Sequence, residues 1–330
     1  MAQSKNTYSD LQKKTITLAN QGLSVVNGVI GDKLKNTSLA IEMSFFENNK
    51  KVDLSKEGLK SHFIDKQVTP KICILIHGLT NNETIWSFPD ETNYGTLLQQ
   101  DLAYTPFYLR YNTGLHISDN GKAFANCMEQ LFENYPLEIE EVTIIAHSMG
   151  GLITHSACFY AQTLQFHWTN KIKNIFLLAT PHFGSFLEKF ANLTTNVLEK
   201  VPNWPTRMVG KVLNLRSAGI KDLRFGYLTE EEWSSEDPDK LLKNNKKPIP
   251  KLEGVNYFVI SGRLTKDEKH WVSFLFGDIL VSKRSANGKS KNINEFNFPL
   301  ENHFEFAKTF HFELNTRMEV YEKIKEWINK

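Results

Sequence analysis

The sequence predicts an α/β fold with a mostly parallel central sheet, helices on both faces and a helical cap insertion. Continuous apolar runs of strand length alternate with helical patterns, which implies βαβ units. The run Ile72 to Ile76 is not interrupted by a polar residue, as expected of a strand buried on both faces. One run leads through a tight turn of small residues around Ser148 into the helical pattern Leu152 to Leu164, and this is the pattern of a strand-to-helix elbow.

The composition is that of a globular chain with a large core. With 330 residues, 41 % hydrophobic and 12 % aromatic, one large domain with insertions is expected rather than two. A net charge of +2, with Lys and Arg spread along the chain, argues against nucleic-acid binding. No signal-peptide pattern is present, and the apolar runs are far shorter than the roughly 18 residues that span a bilayer. Cys73, Cys127 and Cys158 lie in apolar patterns as buried reduced thiols, so a cytoplasmic protein is expected.

The first part of the chain predicts a helix followed by the main domain. Residues 10–34 have helical apolar spacing, interrupted by Gly22 and Gly28. Because the basic face of an interfacial helix is thin here, segment 1–38 is expected to pack on the domain formed by 39–330. Peripheral contact of this helix with a membrane or a hydrophobic partner is the alternative.

The strands before the elbow lead toward a predicted anion-stabilising loop. Residues 39–46 and 59–64 are predicted as short strands or edge elements, and 71–76 as a buried parallel strand. That strand ends in His77-Gly78-Leu79-Thr80. Gly78 allows a substrate to approach the backbone, and the next N–H groups can face a developing oxyanion. A strand at 107–111 and a helix at 120–134 follow.

The turn around Ser148 carries the chemistry. In the Gly-x-Ser-x-Gly pattern the serine is held in a strained conformation, so the residues two positions away must be small. Ala146 replaces the first glycine here, and Gly150 supplies the second. The alternative is an ordinary turn with a helix-capping serine.

The remaining elements are predicted in order. A strand at 172–179 leads to a stretch, about 186–254, that is too long for a loop and is predicted to form the helical cap. Its aromatic residues Phe186, Phe190 and Trp204 favour a substrate that carries a hydrophobic acyl group. A strand at 255–261, a last strand at 304–310 and a helix at 317–329 complete the chain.

A nucleophilic serine needs a base and an acid, which in this fold follow it in the order acid, then histidine. The downstream acids are Asp267, Glu268, Asp278, Glu295 and Glu301. Asp278 is favoured because it follows a glycine and precedes Ile-Leu-Val, whereas Asp267 lies in a charged run. Among His270, His303 and His311, the last is favoured because it lies between the last strand and the last helix.

Other histidines have less defined roles. His147 is expected to point away from the site and to be structural. His182 either lines the pocket with His77 and Gly78 or packs in the core. No zinc, phosphate-loop or dinucleotide motif occurs, so neither a metal nor a cofactor is predicted.

Four segments resemble those of α/β-hydrolase lipases and esterases and come in the same order. They are Ile74-Leu75-Ile76-His77-Gly78, Ala146-His147-Ser148-Met149-Gly150-Gly151, Ala179-Thr180-Pro181-His182-Phe183-Gly184-Ser185 and Gly277-Asp278-Ile279-Leu280-Val281. Together with 215–223 and 311–314, they are similar to bacterial proteins of the branch around GPI inositol-deacylases. The resemblance runs from about residue 70 to the end and implies the α/β-hydrolase fold.

The resemblance also implies the roles of site residues. It implies a triad of Ser148, Asp278 and His311, with the backbone N–H groups of Leu79 and Met149 as oxyanion donors. Ile279 departs from the family pattern, since a second glycine is common after the acid. Inositol deacylation is not implied, because nothing in the sequence indicates a membrane-embedded glycolipid enzyme.

The predicted function is therefore hydrolysis of carboxylic esters by a serine esterase or lipase. The substrate class is a small-molecule ester or lipid. Acyl transfer or thioester cleavage by the same triad is an alternative, as is a non-catalytic hydrolase-like module that binds a lipid or a partner. No oligomeric state is predicted.

Overall fold

The structure is a computed structural model that describes residues 2–182, 217–234, 246–263 and 298–330. Its strands are β1 (Ser44–Glu47), β2 (Lys50–Lys51), β3 (Lys71–Ile76), β4 (Thr105–Arg110), β5 (Glu141–His147), β6 (Ile172–Leu178), β7 (Asn256–Arg263) and β8 (His303–Ala307). Its helices are α1 (Ala2–Leu34), α2 (Lys56–His62), α3 (Tyr94–Leu102), α4 (Ile117–Asn134), α5 (Met149–Thr163), α6 (Ala218–Phe225), α7 (Glu230–Ser234) and α8 (Met318–Ile328).

Within the described ranges the strands form one eight-stranded sheet in the order β2-β1-β4-β3-β5-β6-β7-β8. All neighbours from β4 to β8 pair in parallel, whereas β1 pairs antiparallel with both β2 and β4. Five of the six residues of β3 are buried, which explains its continuous apolar run. The carboxyl ends of the parallel strands therefore share one edge of the sheet.

The sheet separates two hydrophobic clusters. One cluster packs α4 and α5 against one face, through residues such as Phe124, Leu152 and Ile153. The other packs α3 and α8 against the opposite face, through residues such as Leu98 and Tyr321. Helices cover both faces, and the strand that precedes Ser148 lies in the middle of the sheet. This is the α/β-hydrolase fold predicted from the sequence.

The strand predicted at residues 59–64 is wrong, because most of the segment belongs to helix α2. The hydroxyl of Ser55 accepts the N–H of Gly58 at 3.0 Å and caps the helix. Leu59 is fully buried and is the one buried residue of this short helix. The apolar residues of such a short segment fit either a strand or a helix, and here the cap decides.

Helix α1 packs on the loops at the carboxyl edge of the sheet. A Cβ added at Gly28 would lie 2.6 Å from Cγ2 of Thr80, in the loop that follows β3. The amide of Asn82 donates to the hydroxyl of Ser24 at 3.3 Å, and Ser217 before α6 donates to the carbonyl of Gly28 at 2.7 Å. Among the described helices none is both long and apolar enough to cross a membrane.

The predicted cap is described only in part. Residues 217–234 contain α6 and α7, while 183–216 and 235–245 lie outside the described residues, with Phe186, Phe190 and Trp204 among them. Helix α6 approaches the site, because a Cβ added at Gly219 would lie 3.0 Å from Cε of Met149.

Candidate active site

Ser148 lies in the elbow between β5 and α5, with a backbone conformation that is rare outside glycine. Its φ is 53° and its ψ is −121°, and its N–H donates to the carbonyl of Leu178 in β6 at 2.8 Å. Thr80 and Ala179, which follow β3 and β6, also have positive φ values, of 62° and 51°. Strain of this kind costs about 1–3 kcal/mol per residue and clusters at functional sites.

The glycines after Ser148 allow α5 to begin against the ends of two strands. A Cβ added at Gly150 would lie 2.7 Å from the carbonyl oxygens of Ile76 and His77. One added at Gly151 would lie 2.1 Å from Oγ1 of Thr180. Both distances are too short for a side chain, so the small residues of the motif are required by packing.

The His-Gly loop lies directly against the serine. A Cβ added at Gly78 would lie 2.9 Å from Cβ of Ser148 and 3.1 Å from Nδ1 of His147. The loop is fixed further along, where the N–H of Thr80 donates to Oγ1 of Thr113 at 3.1 Å. The loop predicted to stabilise an oxyanion is thus in contact with the predicted nucleophile.

His77 orients the peptide between Gly78 and Leu79. Its Nδ1 lies 2.9 Å from the carbonyl oxygen of Gly78, which can only accept, so Nδ1 carries the proton. The ring stacks on Tyr111 at 4.3 Å, and burial lowers the pKa of His77 to about 3. Since the C=O and N–H of one peptide point in opposite directions, the Leu79 N–H points away from the imidazole.

The two predicted oxyanion donors have no acceptor among the described residues. Neither the N–H of Leu79 nor that of Met149 makes a hydrogen bond there. Both residues are buried, at 3 % and 0 % exposure. Met149 is the first residue of α5, where an N–H group has no acceptor within the helix. The role of both groups as oxyanion donors stays a prediction.

His311 begins a 3₁₀ helix, His311–Asn315, between β8 and α8. The hydroxyl of Tyr94 in α3 holds this segment: it lies 2.7 Å from the carbonyl oxygen of Leu314 and 2.9 Å from that of Arg317. The same hydroxyl accepts the Arg317 N–H at 3.2 Å. This brings the predicted base to the carboxyl end of β5.

His147 is predicted to point away from the site, and that part of its prediction is wrong, because its ring lies beside the segment that carries the predicted base. Its ring centroid lies 4.6 Å from that of His311, and its Nε2 lies 3.1 Å from the His311 carbonyl oxygen. Ile145, two residues earlier on the same face of β5, and Leu314 of the segment His311–Asn315 both belong to the cluster that α8 covers. Because Ser148 follows His147 directly, the structure brings the elbow next to His311–Asn315, which is called the base segment below after the role predicted for His311.

The predicted acid, Asp278, lies outside the described residues, as do Asp267, Glu268, Glu295 and His270. Its role stays a prediction.

His182 is buried beside the first turn after β6. It is 3 % exposed, and its ring centroid lies 5.4 Å from that of His155 and 5.3 Å from that of Phe298. Burial, with a contribution from His155, holds the pKa of His182 well below its usual value, so the ring is neutral at neutral pH. The structure therefore shows His182 packed among other aromatic rings. The alternative, that His182 lines a substrate pocket, stays a prediction.

A separate cavity of about 820 Å³ opens between the start of β1 and α4. Its lining includes Met43, Asp53, Asn112 and Cys127, and none of the predicted site residues that the structure describes. Among the residues that the structure describes, no group of three or more His, Cys, Asp and Glu side chains is placed to hold a metal ion.

The family model described as "PGAP1-like alpha/beta domain" matches residues 109–256, which include the elbow at Ser148. This segment resembles that family. The resemblance predicted from the sequence is thereby confirmed, over somewhat less than half of the chain. No curated protein matches the chain significantly.

Solved structures with similarity to the chain include esterases and another hydrolase. A lipase-esterase related protein from Clostridium acetobutylicum is 14 % identical with a TM-score of 0.40, over 79 % of this chain and 96 % of that one. The Pyrococcus furiosus esterase Pf2001 is 14 % identical with a TM-score of 0.44, over 80 % and 83 %. A laboratory-evolved potato epoxide hydrolase is 14 % identical with a TM-score of 0.45, over 78 % and 92 %.

Proposed function

We propose that the protein is a serine hydrolase that cleaves carboxylic esters through an acyl-enzyme. The observation that carries the proposal is the elbow: Ser148, at φ 53°, lies against Gly78. The N–H groups of Leu79, which follows Gly78, and of Met149, which follows Ser148, have no acceptor in the described part of the chain. The resemblance of segment 109–256 to the PGAP1-like family supports it.

The proposed reaction begins when Oγ of Ser148 attacks the ester carbonyl carbon while His311 takes the hydroxyl proton. The N–H groups of Leu79 and Met149 stabilise the negative oxygen that forms. His311 then returns the proton to the leaving alcohol, and an acyl group remains on Ser148. Water, activated by His311, hydrolyses the acyl-enzyme, and Asp278 is proposed to orient and stabilise the imidazolium.

The test is hydrolysis of p-nitrophenyl esters of graded acyl length by the wild type and by Ser148→Ala. We expect kcat of the variant to fall by on the order of 10⁴-fold or more, because residues of such a triad act as a unit. The matched control is Ser156→Ala, a buried serine of α5 whose hydroxyl donates to the Leu228 carbonyl at 2.6 Å. That variant should lose stability but keep its activity. Wild-type activity in Ser148→Ala would exclude the proposed mechanism.

A further inference from the structure

The contact between His147 and the base segment has a defined donor and acceptor. The Nε2 atom of His147 lies 3.1 Å from the carbonyl oxygen of His311. A carbonyl oxygen only accepts, so Nε2 must carry the proton and donate it. His147 is fully buried, and the bond joins two segments 164 residues apart. A buried hydrogen bond of this kind fixes the position of the backbone that it reaches.

The other side of the same ring faces the loop after β3. A Cβ added at Gly78 would lie 3.1 Å from Nδ1 of His147, and no described residue donates a hydrogen bond to that atom. The imidazole therefore fills the space between the His-Gly loop and the base segment. It is both a hydrogen-bond donor and a spacer between the two parts of the site.

His147 is not itself suited to proton transfer. Burial, with a contribution from nearby His311, holds its pKa well below the usual value, so the ring stays neutral. Its only proton is engaged by the His311 carbonyl. The imidazole therefore acts through the backbone of its neighbour rather than on a substrate.

We propose that His147 is a positioning residue that anchors His311–Asn315 to the nucleophile elbow through its Nε2–H bond to the His311 carbonyl. The anchor itself requires only the hydrogen bond, whereas its effect on catalysis rests on the proposed function, in which His311 is the base. The strand that presents the nucleophile thus also sets the position of the base. Neither the spacing of the motif nor the triad order assigns this role to the residue before the serine.

Two amide variants separate anchoring from simple packing. In His147→Gln the amide nitrogen reaches the position of Nε2 and can donate to the same carbonyl. In His147→Asn the amide reaches only the position of Nδ1, one side-chain carbon shorter. His147→Leu removes the donor altogether and provides a second test if the Asn variant does not fold. The matched control is His155→Leu, which removes another fully buried neutral imidazole, on α5.

Catalysis is measured as kcat and KM on a p-nitrophenyl ester, together with the pH profile of kcat/KM. We expect kcat to fall about 100-fold in the Asn and Leu variants at nearly unchanged KM, since a displacement of about 1 Å has that effect. The acid-side inflection, which reports the base of the free enzyme, should move in the same variants. The Gln variant should recover most of kcat and the wild-type inflection, and the His155→Leu control should keep both.

Amide hydrogen exchange over residues 311–316 provides a readout that needs no activity. Exchange should be faster in the Asn and Leu variants than in the wild type and the Gln variant. If the wild type cleaves no ester but this exchange pattern is found, the proposed function fails and the anchor stands. Equal exchange in all variants, or equal losses of kcat in Gln and Asn, would overturn the anchor.

Discussion

Gly78 is the residue at which one added methyl group tests the contact between the His-Gly loop and the serine. In Gly78→Ala the new Cβ would lie 2.9 Å from Cβ of Ser148 and 3.3 Å from the carbonyl oxygen of His147. One of the two loops must move. We expect a loss of about 1–3 kcal/mol in the free energy of unfolding. A fall in kcat of on the order of 100-fold is expected from the displaced oxyanion donor.

The control is Gly22→Ala in α1, where nothing lies within 4 Å of the added Cβ. Alanine in a helix is favoured over glycine by roughly 0.5–1 kcal/mol, so this variant should be slightly more stable and equally active. Urea unfolding and ester hydrolysis measure both quantities. A fully active and stable Gly78→Ala enzyme would contradict the contact between the two loops.

At the residue scale, the sequence predicts the residues that obey a local rule. Ser148 could be predicted to lie in a strand-to-helix elbow because an elbow requires small neighbours, and His311 could be predicted to lie between the last strand and the last helix; their catalytic roles stay predictions. The contact of His147 with the His311 carbonyl could not be predicted, because the two residues are 164 positions apart and no local pattern encodes the contact. The same holds for Tyr94, whose hydroxyl meets a carbonyl 220 residues further along.

The hydroxyl of Tyr94 in α3 helps to hold the 3₁₀ helix that carries His311 in place. Tyr94→Phe keeps the ring but leaves the carbonyls of Leu314 and Arg317 without this donor. Because these groups are largely buried, we expect the free energy of unfolding to fall by about 1–3 kcal/mol. The loosened base segment should also lower kcat, with KM nearly unchanged.

The matched control for that element is Tyr135→Phe, which removes a hydroxyl that donates to the Thr69 carbonyl at 2.8 Å on the other face of the sheet. Its stability should fall by a similar amount, while kcat stays at the wild-type level. Urea unfolding and steady-state kinetics compare the two variants. Equal kcat in both would mean that Tyr94 stabilises the fold without positioning the base segment.

At the element scale, long apolar strands were predictable and short amphipathic segments were not. The buried parallel strand at 71–76 was predicted with its observed bounds, because a continuous apolar run of strand length is typical of a strand covered on both faces. The segment 59–64 is half polar, and its helix is decided by the cap at Ser55. Helix α1 covers particular loops because of tight contacts such as that of Gly28 with Thr80. These contacts could not be predicted from the sequence of α1 alone.

The whole molecule should lose stability in mild acid. Burial lowers the pKa of His77 and of His155 to about 3, and holds the pKa values of His147 and His182 well below the usual value. Below about pH 6.5 the unfolded chain protonates these imidazoles and the native protein does not. Stability is therefore full above pH 6.5 and falls as pH decreases toward 3, by about 1.4 kcal/mol per pH unit for each histidine.

Urea midpoints at pH 7.5, 6.0 and 5.0 test this dependence. Burial raises the pKa values of Asp222 and Glu129, which act in the opposite sense, but they are two carboxyls against the four histidines. In His155→Leu the free energy of unfolding should depend less steeply on pH, because one of the four buried histidines no longer contributes its share of the slope. A midpoint that stays constant or rises down to pH 5.0 would contradict the prediction.

The sheet topology follows from rules that span the whole chain, which is why the fold class could be predicted. Alternating strands and helices require a parallel sheet, and the sheet places the ends of β3, β5 and β6 side by side. The positive φ values of Thr80 and Ala179 at two of those ends are a tertiary result, since only the pattern around Ser148 predicts a strained backbone.

The most direct test of the central claim is covalent labelling of the intact protein with a fluorophosphonate. The activated hydroxyl of Ser148 should displace fluoride and form a phosphonyl ester, and mass spectrometry of the digested protein should find the adduct on that residue. Ser148→Ala should remain unlabelled, and His311→Gln should label far more slowly. A folded wild-type protein that takes up no label, or carries it on another residue, would contradict the account.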